Sequence, residues 1–284
     1  MLKTGRSCAP YALLLLLLLA LAGCGGGPGP VVATAPPEPA LRIAGSGASL
    51  AALRQAAAAY QRAYPAARFA FDEGSNTDGA VRGIVGQTLD LAAISRPVAE
   101  VKGAAALEFR PFARDPVAFA VHAPSPVRDL TTAQIRDIYG GDATTWRPWG
   151  GTDEPLVVLD RPDGQSGRTL VLLALLGPQP VGARTVVLSA SEEMVTALNN
   201  TPNAVGYTPL GELGPQAPQV QVVTLDGIAP DAAAVRSGAY PWSLTYRLMV
   251  RPDAPPPVRR FMDWVLGPDG QRALQDAGYA NVAR

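Results

Sequence analysis

The sequence predicts an α/β fold, in which strands and helices alternate along the chain. The order strand, helix, strand, helix, strand is readable from Leu41 to Ile94, and this order is typical of an α/β layer. The last strand of that run, Leu89–Ile94, is almost continuously apolar, as strands buried on both faces of a parallel sheet are. Roughly 245 of the 284 residues remain after an N-terminal address segment, which is enough for two modest domains.

Residues 1–24 have the features of a lipoprotein signal peptide. Lys3 and Arg6 precede the apolar run Ala12–Leu21, which is too short to span a bilayer permanently. Small residues then precede Cys24, in an arrangement that resembles a bacterial lipobox. The resemblance implies cleavage before Cys24, lipidation of its thiol and a location on the periplasmic side of the cell envelope. An ordinary signal peptide cleaved near Gly23 is the alternative.

The segment after the signal peptide is predicted to be a flexible linker. Residues 25–40 are rich in Gly and Pro, a composition that does not form a packed core. Cys8 is the other cysteine and lies in the segment to be removed, so the mature domain has no disulfide. Without Lys3 and Arg6 the 24 positive residues become 22, against 24 negative ones. The mature chain is therefore nearly neutral and has no basic field for nucleic acid.

Polar turns follow the first three predicted strands. The carboxyl ends of parallel strands meet at one edge of a sheet, where open α/β sheets bind ligands. Bare amides and hydroxyls at the helix starts predict an anion site at that edge. The elements are a strand from Leu41, the turn Gly45–Ser49, an amphipathic helix Ser49–Tyr64 ended by Pro65, a strand Arg68–Phe71, the turn Gly74–Thr77, a helix Asp78–Val85, the strand Leu89–Ile94 and the turn Ser95-Arg96.

A second group of strands and helices follows, with a further polar turn at Arg161–Arg168. Its elements are the strands Pro116–His122 and Leu156–Asp160, a helix Thr131–Tyr139 between them, a helix Thr169–Leu176, a strand Val186–Leu188, a helix Ser191–Leu198 and a short strand Ala204–Tyr207. The chain ends with the strands Gln221–Leu225 and Leu244–Val250 and the helices Pro257–Leu266 and Asp269–Ala277.

Several motifs occur in a specific order along the chain. They are Gly45–Ser49, Gly74–Thr77, Asp90–Pro97, Leu130–Tyr139 with Thr145-Trp146, Arg161 with Ser166-Gly167, Ala204–Tyr207, Gly238–Pro241 and Phe261–Gln271. This order, over residues 41–282, resembles the phosphate-binding subunit of bacterial phosphate ABC transporters. The resemblance implies a type II periplasmic-binding-protein fold, with two α/β lobes around a ligand cleft. Lobe 1 would be residues 41–117 and 212–284, and lobe 2 would be residues 118–211.

The resemblance also implies an oxyanion site between the lobes. A phosphate ion has four acceptor oxygens, so a buried site needs many donors. Serine hydroxyls, backbone amides and one guanidinium would supply them here. Because unpaired donors in an empty closed site would be costly, hinge closure on the ligand is expected. The residues that the resemblance places at the site are Ser49, the Leu50 amide, Ser75, Ser95, Arg96, Arg161, Gln165, Ser166 and Gly167.

Two positions depart from the family pattern. Many members carry Ser-Asp, whose carboxylate accepts the proton of hydrogen phosphate, where this chain has Ser95-Arg96. Selectivity for phosphate over sulfate therefore stays open, and Arg96 either adds a positive charge or points to solvent at the cleft rim. Gly164–Arg168 stands where a Gly-Ser-Gly-Thr turn is expected. Either Gln165 takes the place of the serine or the turn is shifted by one residue.

Other chemistries lack the residues they need. Gly164–Arg168 lacks the last glycine of a nucleophile elbow, and the one histidine, His122, lies far from it in sequence. No catalytic residue, metal ligand or cofactor site is therefore predicted. We expect a monomeric, lipid-anchored binding protein that captures inorganic phosphate and delivers it to an ABC permease. The alternatives are a protein that binds another oxyanion (sulfate, molybdate or tungstate) and a sensory or adhesive protein on the same scaffold.

Overall fold

The computed structural model describes residues 39–72, 75–170, 174–177, 181–214 and 216–282. The predicted signal peptide, Cys24 and all but the last two residues of the predicted linker lie outside this part of the chain, as does Gly74. Within it, no helix is both long enough and apolar enough to cross a lipid bilayer.

The observed elements follow the predicted alternation closely. In chain order they are β1 (Leu41–Gly45), α1 (Gly47–Ala63), β2 (Phe69–Phe71), α2 (Thr77–Val85), β3 (Leu91–Ile94), β4 (Glu108–His122), β5 (Asp129–Leu130), α3 (Thr132–Gly140), β6 (Val157–Asp160), α4 (Ser166–Arg168), α5 (Ala174–Leu176), β7 (Thr185–Val187), α6 (Ser191–Asn200), β8 (Ala204–Pro209), β9 (Val220–Val222), β10 (Thr224–Leu225), α7 (Ala232–Ser237), β11 (Ser243–Val250), α8 (Pro256–Leu266) and α9 (Pro268–Asp276). Short 3₁₀ turns lie at Val98–Glu100, Arg147–Trp149 and Leu210–Glu212.

The strands form one large mixed sheet and, within the described residues, one separate pair. Their order in the sheet is β2-β1-β3-β11-β4-β8-β6-β7, with β9 also paired to β4, while β5 pairs with β10. At one end β1 pairs in parallel with β2 and β3, and at the other β6 pairs in parallel with β7 and β8. Antiparallel pairing through β11 and β4 joins the two ends. The α/β prediction is confirmed.

Strand β4 is much longer than the strand predicted at Pro116–His122. Its first part, Glu108–Pro116, pairs with β11, and its second part, Val117–Val121, pairs with β8. The first part carries charged residues and Pro111, which argue against a central strand when the sequence is considered alone. Pro111 lies beside an irregularity where the register skips Phe112. A proline has no amide to donate, and a β-bulge locally interrupts the ladder of hydrogen bonds, so the strand tolerates it there.

The predicted division into two lobes stays a prediction. Pairing alone groups the strands slightly differently from the predicted boundary at residue 212. Strand β9 pairs with the second part of β4, and β10 pairs with β5. A boundary after β10 would keep all these partners together.

Helix α1 packs its predicted apolar face into the core. Leu50, Leu53, Ala57 and Tyr60 are buried, as their spacing of three and four residues predicts. Tyr64, predicted on the same face, is 50% exposed because the helix ends at Ala63 and the tyrosine lies beyond it.

The turn from β1 to α1 requires a glycine. Gly45 lies so close to β3 that a Cβ atom built on it would be 1.8 Å from the carbonyl oxygen of Ala93. The next amide, that of Ser46, donates a hydrogen bond to the same oxygen at 3.0 Å. This close approach fixes the start of α1 against the carboxyl end of β3.

Candidate functional site

A cavity of about 610 Å³ lies where the starts of four helices meet. Each of them follows a strand of the sheet's parallel parts, so their amino ends share the edge that binds ligands in open α/β sheets. Arg161, which follows β6 directly, also lines the cavity. The helix starts contribute Ser46–Ala48 of α1, Ser75-Asn76 before α2, Gln165–Gly167 at α4 and Ser189–Glu192 at α6.

The helix starts present backbone amides that have no acceptor within their own helix. In α1 the first amide to donate inside the helix is that of Leu50, which bonds the Ser46 carbonyl oxygen at 2.9 Å. The amides of Gly47, Ala48 and Ser49 precede it and therefore have no helical acceptor. Such amide groups, together with the positive end of the helix dipole, favour an anion.

A chain of serine hydroxyls connects distant parts of the sequence at the cavity. Ser46 Oγ lies 2.7 Å from Ser49 Oγ and donates to Ser95 Oγ at 3.1 Å. Ser95 Oγ in turn donates to Ser166 Oγ at 3.3 Å. A hydroxyl proton rotates freely to suit its acceptor, so these groups are able to turn their donors toward an anion.

Arg161 is a cationic residue of the cavity wall. Among the described residues its guanidinium makes no hydrogen bond or ion pair. Burial lowers the pKa of Arg161, although the charges of Glu212 and Glu193 act against this effect. A desolvated cation of this kind is stabilised by an anionic partner.

The neighbouring cation, Arg168, is neutralised by the chain. Its Nε lies 3.1 Å from Oδ2 of buried Asp160. Asp160 also accepts hydrogen bonds from the Tyr207 hydroxyl and from the Arg161 amide, both at 2.7 Å. Asp160 therefore holds Arg168, Tyr207 and the backbone of Arg161 in place at the cavity that Arg161 lines.

The structure brings most of the predicted site residues together. They come from three separate turns of the chain and include the guanidinium-bearing residue predicted for lobe 2. The predicted residues that line the cavity are Ser75, Ser95, Arg161, Gln165, Ser166 and Gly167.

Three predicted residues do not line the cavity. Ser49 is fully buried and donates its hydroxyl to the Ser46 carbonyl oxygen at 2.9 Å, and the Leu50 amide is used inside α1. Because α1 begins at Gly47, Ser46 and Gly47 take the positions at the wall, and the oxyanion contacts of Ser49 and of the Leu50 amide stay predictions. Arg96 Nη1 pairs with Asp78 Oδ1 at 2.7 Å, which holds the arginine outside the cavity wall.

The structure also describes the turn whose register the sequence left open. Helix α4 begins at Ser166, with Gln165 at its N-cap, and both residues line the cavity. Ser166 is the one that joins the hydroxyl chain. Ser166 therefore contributes its hydroxyl to the cavity wall, and Gln165 lines the wall beside it.

The start of α6 is a part of the cavity that the sequence analysis missed. Glu193 Oε2 accepts hydrogen bonds from the amides of Ser189 and Ala190 at 2.8 and 3.0 Å, and these bonds lower the pKa of Glu193. They fix the helix start where Ser191 and Glu192 reach the cavity. The available signal was the parallel strand β7 before this helix, whose carboxyl end shares the ligand-binding edge with β6.

Glu212 is a second cavity residue that the sequence did not reveal. It lies in the wall of this cavity and in that of a smaller one of about 390 Å³. Burial raises the pKa of Glu212, against the Ser191 and Thr208 hydroxyls and the Arg161 charge, which lower it. A second carboxyl group, that of Asp115, is affected by the charge of Glu212, and burial raises its pKa to about 7. Asp115 accepts hydrogen bonds from the Tyr246 hydroxyl at 2.9 Å and from the Gly211 amide at 3.1 Å.

The donor set of the cavity is suited to a small oxyanion. Hydroxyls, amides and a guanidinium donate hydrogen bonds to acceptor oxygens. Within the described ranges, no group of three or more His, Cys, Asp or Glu residues is arranged to hold a metal ion.

Comparisons with known proteins show the family of the chain. The profile of the PBP superfamily domain matches residues 30–269. The phosphate-binding protein PstS of Bacillus subtilis is 28% identical over 168 residues, which are 58% of this chain and 55% of that protein. The match thus spans about half of that relative's length.

Solved structures show the same fold. A Clostridium perfringens protein assigned as a phosphate ABC transporter substrate-binding protein, with bound phosphate, superposes with a TM-score of 0.72 at 22% identity over 86% of this chain and all of that one. An ABC-type phosphate transport receptor of Vibrio cholerae gives a TM-score of 0.62 at 21% identity, over 85% of this chain and all of that one. The predicted type II periplasmic-binding-protein fold is confirmed.

Proposed function

Because the chain belongs to the PBP superfamily, we propose that it is an extracytoplasmic solute-binding protein that captures inorganic phosphate for an ABC importer. It binds and releases the ion without changing it chemically. Its partners are phosphate and the importer's permease, and it acts as a monomer. The description of the Bacillus subtilis relative as a phosphate-binding protein and the phosphate bound in the Clostridium perfringens structure support this function.

One observation of this chain carries the proposal. Arg161, whose guanidinium has no partner among the described residues, meets the hydroxyl chain from Ser46 to Ser166 and the first amides of several helices in one cavity. Phosphate has acceptor oxygens on all sides, so it can use donors that arrive from several directions. The proposed ligand contacts are the hydroxyls of Ser46, Ser75, Ser95 and Ser166, the amides of Gly47 and Gly167, the Gln165 side chain and Arg161.

The proposed contacts come from both predicted lobes. Ser46, Ser75 and Ser95 belong to lobe 1 (41–117 and 212–284), and Arg161 and Ser166 belong to lobe 2 (118–211). Phosphate bound between them would stabilise the closed arrangement by contacting both. Closure of this kind commits the ion to the protein until the permease opens the site.

Titration calorimetry of the purified protein, freed of bound anions, tests the proposed ligand. We expect saturable one-to-one binding of phosphate and weaker binding of sulfate, molybdate and tungstate. Tighter binding of any of these three would assign the site to that oxyanion instead. Binding of none of them would refute an oxyanion carrier and favour a sensory or adhesive role.

The proposed lipid anchor has a separate test. Residues 1–24 would direct export, Cys24 would carry the lipid, and residues 25–40 would hold the domain away from the membrane. We expect mass spectrometry of the mature protein to show an acylated N-terminal cysteine and the protein to fractionate with membranes. Cys24→Ala should release it into the soluble fraction. An unmodified N-terminus near Gly23 would indicate an ordinary signal peptide instead.

A further inference from the structure

Two arginines stand at the two ends of the polar turn after β6, and their surroundings differ. Arg161 lines the cavity, and its guanidinium has no partner in the described part of the chain. Arg168, the last residue of α4, lies outside the cavity wall and binds the carboxylates of Asp160 and Asp163. Arg168 also belongs to the segment that departs from the family pattern, Gly164–Arg168.

The carboxylate of Asp160 is a neighbour of both arginines. Its side chain is 3% exposed, and Oδ2 lies 3.1 Å from Arg168 Nε. The other oxygen, Oδ1, accepts hydrogen bonds from the Arg161 amide and the Tyr207 hydroxyl, both at 2.7 Å. Tyr207 is in turn near enough to Arg161 for their charges to interact. A buried carboxylate, which is costly without a counter-charge, therefore lies close to Arg161.

Arg168 is the cation that balances this carboxylate. Burial acts to lower the pKa of Arg168, but the hydrogen bond with Asp160 and the charges of Asp160 and Asp163 outweigh burial and raise it. For Arg161 burial prevails, and the pKa is lowered. A buried charge that loses its partner is strongly destabilised. Without Arg168, the carboxylate of Asp160 would therefore attract the guanidinium of the adjacent residue, Arg161.

We propose that Arg168 is a positioning residue for anion binding, which neutralises Asp160 and so leaves the guanidinium of Arg161 to the ligand. This role rests on the proposed function, because it concerns the same cavity. Arg168 does not contact phosphate itself, since it lies outside the cavity wall. It acts through the charge of one carboxylate, so its effect on binding disappears when that charge is removed.

Titration calorimetry of the purified protein with phosphate tests this role through paired substitutions. Arg168→Gln removes the cation and leaves Asp160 charged, so we expect phosphate binding to weaken about tenfold or more. Asp160→Asn removes the charge but keeps an oxygen for the Arg161 amide and the Tyr207 hydroxyl. In the Asp160→Asn background, Arg168→Gln should change phosphate affinity by less than about threefold.

Two further variants separate this role from general effects of charge and packing. Arg168→Lys preserves a cation beside Asp160, so it should bind phosphate within about threefold of the wild type. Asp163→Asn removes the other carboxylate that Arg168 binds, whose side chain is 93% exposed. Because an exposed ion pair contributes little, Arg168→Gln should still weaken phosphate binding about tenfold in the Asp163→Asn background. Thermal unfolding of each variant verifies that it is folded.

The outcomes against this role are distinct from failure of the proposed function. An Arg168→Gln protein that binds phosphate like the wild type would overturn it, as would an equal loss of affinity in the Asp160→Asn background. If Arg168→Gln alone does not fold, the pair in the Asp160→Asn background still decides. Recovered folding with a small change in affinity would support the role, and a loss of about tenfold would overturn it. If the wild-type protein binds no phosphate at all, the proposed function itself fails, whatever residue occupies position 168.

Discussion

Replacement of Arg161 is the most direct perturbation of the cavity. Arg161 lines the cavity, and its guanidinium makes no ion pair with the described part of the chain and has a pKa lowered by burial. An anion bound beside it would supply the charge that balances it. Hydrogen bonds to charged groups contribute about 1.5 to 3 kcal/mol, and we expect Arg161→Ala to weaken phosphate binding by about 2 to 3 kcal/mol, or about 30- to 150-fold.

The same substitution should act differently on the protein without ligand. Because burial disfavours the charged guanidinium, its removal should leave the free energy of unfolding unchanged or raise it. Phosphate at one hundred times Kd stabilises a protein by about 2.7 kcal/mol. Because the substitution raises Kd, the stabilisation at the same phosphate concentration should become smaller. Arg161→Lys preserves the charge but loses the paired donors of the guanidinium group. Its phosphate affinity should therefore lie between those of the wild type and Arg161→Ala.

Calorimetry measures Kd, and thermal unfolding with and without phosphate measures the stabilisation. Arg184→Ala is the matched control, because Arg184 is an exposed arginine outside the cavity wall, and it should behave like the wild type. An Arg161→Ala protein that binds phosphate within about twofold of the wild type would show that this guanidinium does not contact the anion.

Other substitutions have separate expected outcomes. Ser166→Ala removes one neutral donor and should weaken phosphate binding by about 0.5 to 1.5 kcal/mol in calorimetry, whereas Arg96→Ala, whose partner is Asp78, should change it by less than about threefold. Gly45→Ala should lower the free energy of unfolding by about 1 to 3 kcal/mol or more, and an unchanged melting temperature would contradict the close approach to the β3 backbone. Burial raises the pKa of Asp115 in the folded protein from the ordinary value of 3.8 to about 7. The free energy of unfolding should therefore fall as the pH rises from about 4 to about 7, because the folded state holds this proton more tightly than the unfolded state does. Asp115→Asn should remove that part of the slope in urea titrations at several pH values, and an identical slope would refute the assignment.

The elements that could be predicted are those whose signal is local. Helix α1 and strand β3 follow from the periodicity of three and four and from a continuous apolar run, and the polar turns follow from Gly and Ser before helix starts. The cavity then follows from strand order, because parallel strands bring their carboxyl ends to one edge. For this reason Ser75, Ser95, Arg161 and Ser166 reach the same cavity although they are far apart in sequence.

The features of the cavity wall that the sequence did not anticipate depend on contacts between distant residues. Ser46 lines the wall in place of Ser49 because the helix starts at Gly47, against the backbone of β3. Arg96, in the turn after β3, lies outside the wall because Asp78 of α2 binds it. Glu212 carries no local signal at all, since it follows β8 in a short 3₁₀ turn and reaches the cavity only through the folded arrangement.

The helix starts around the cavity have a consequence for the conditions under which the protein works. Peptide dipoles are permanent and have no proton to lose, so the attraction that they provide is the same in acidic and alkaline surroundings. Their field is confined to the first turn of each helix, so it does not extend to the outer surface of a chain that carries as many acidic as basic residues. A small ion therefore experiences the attraction of these dipoles only after it has entered the cavity.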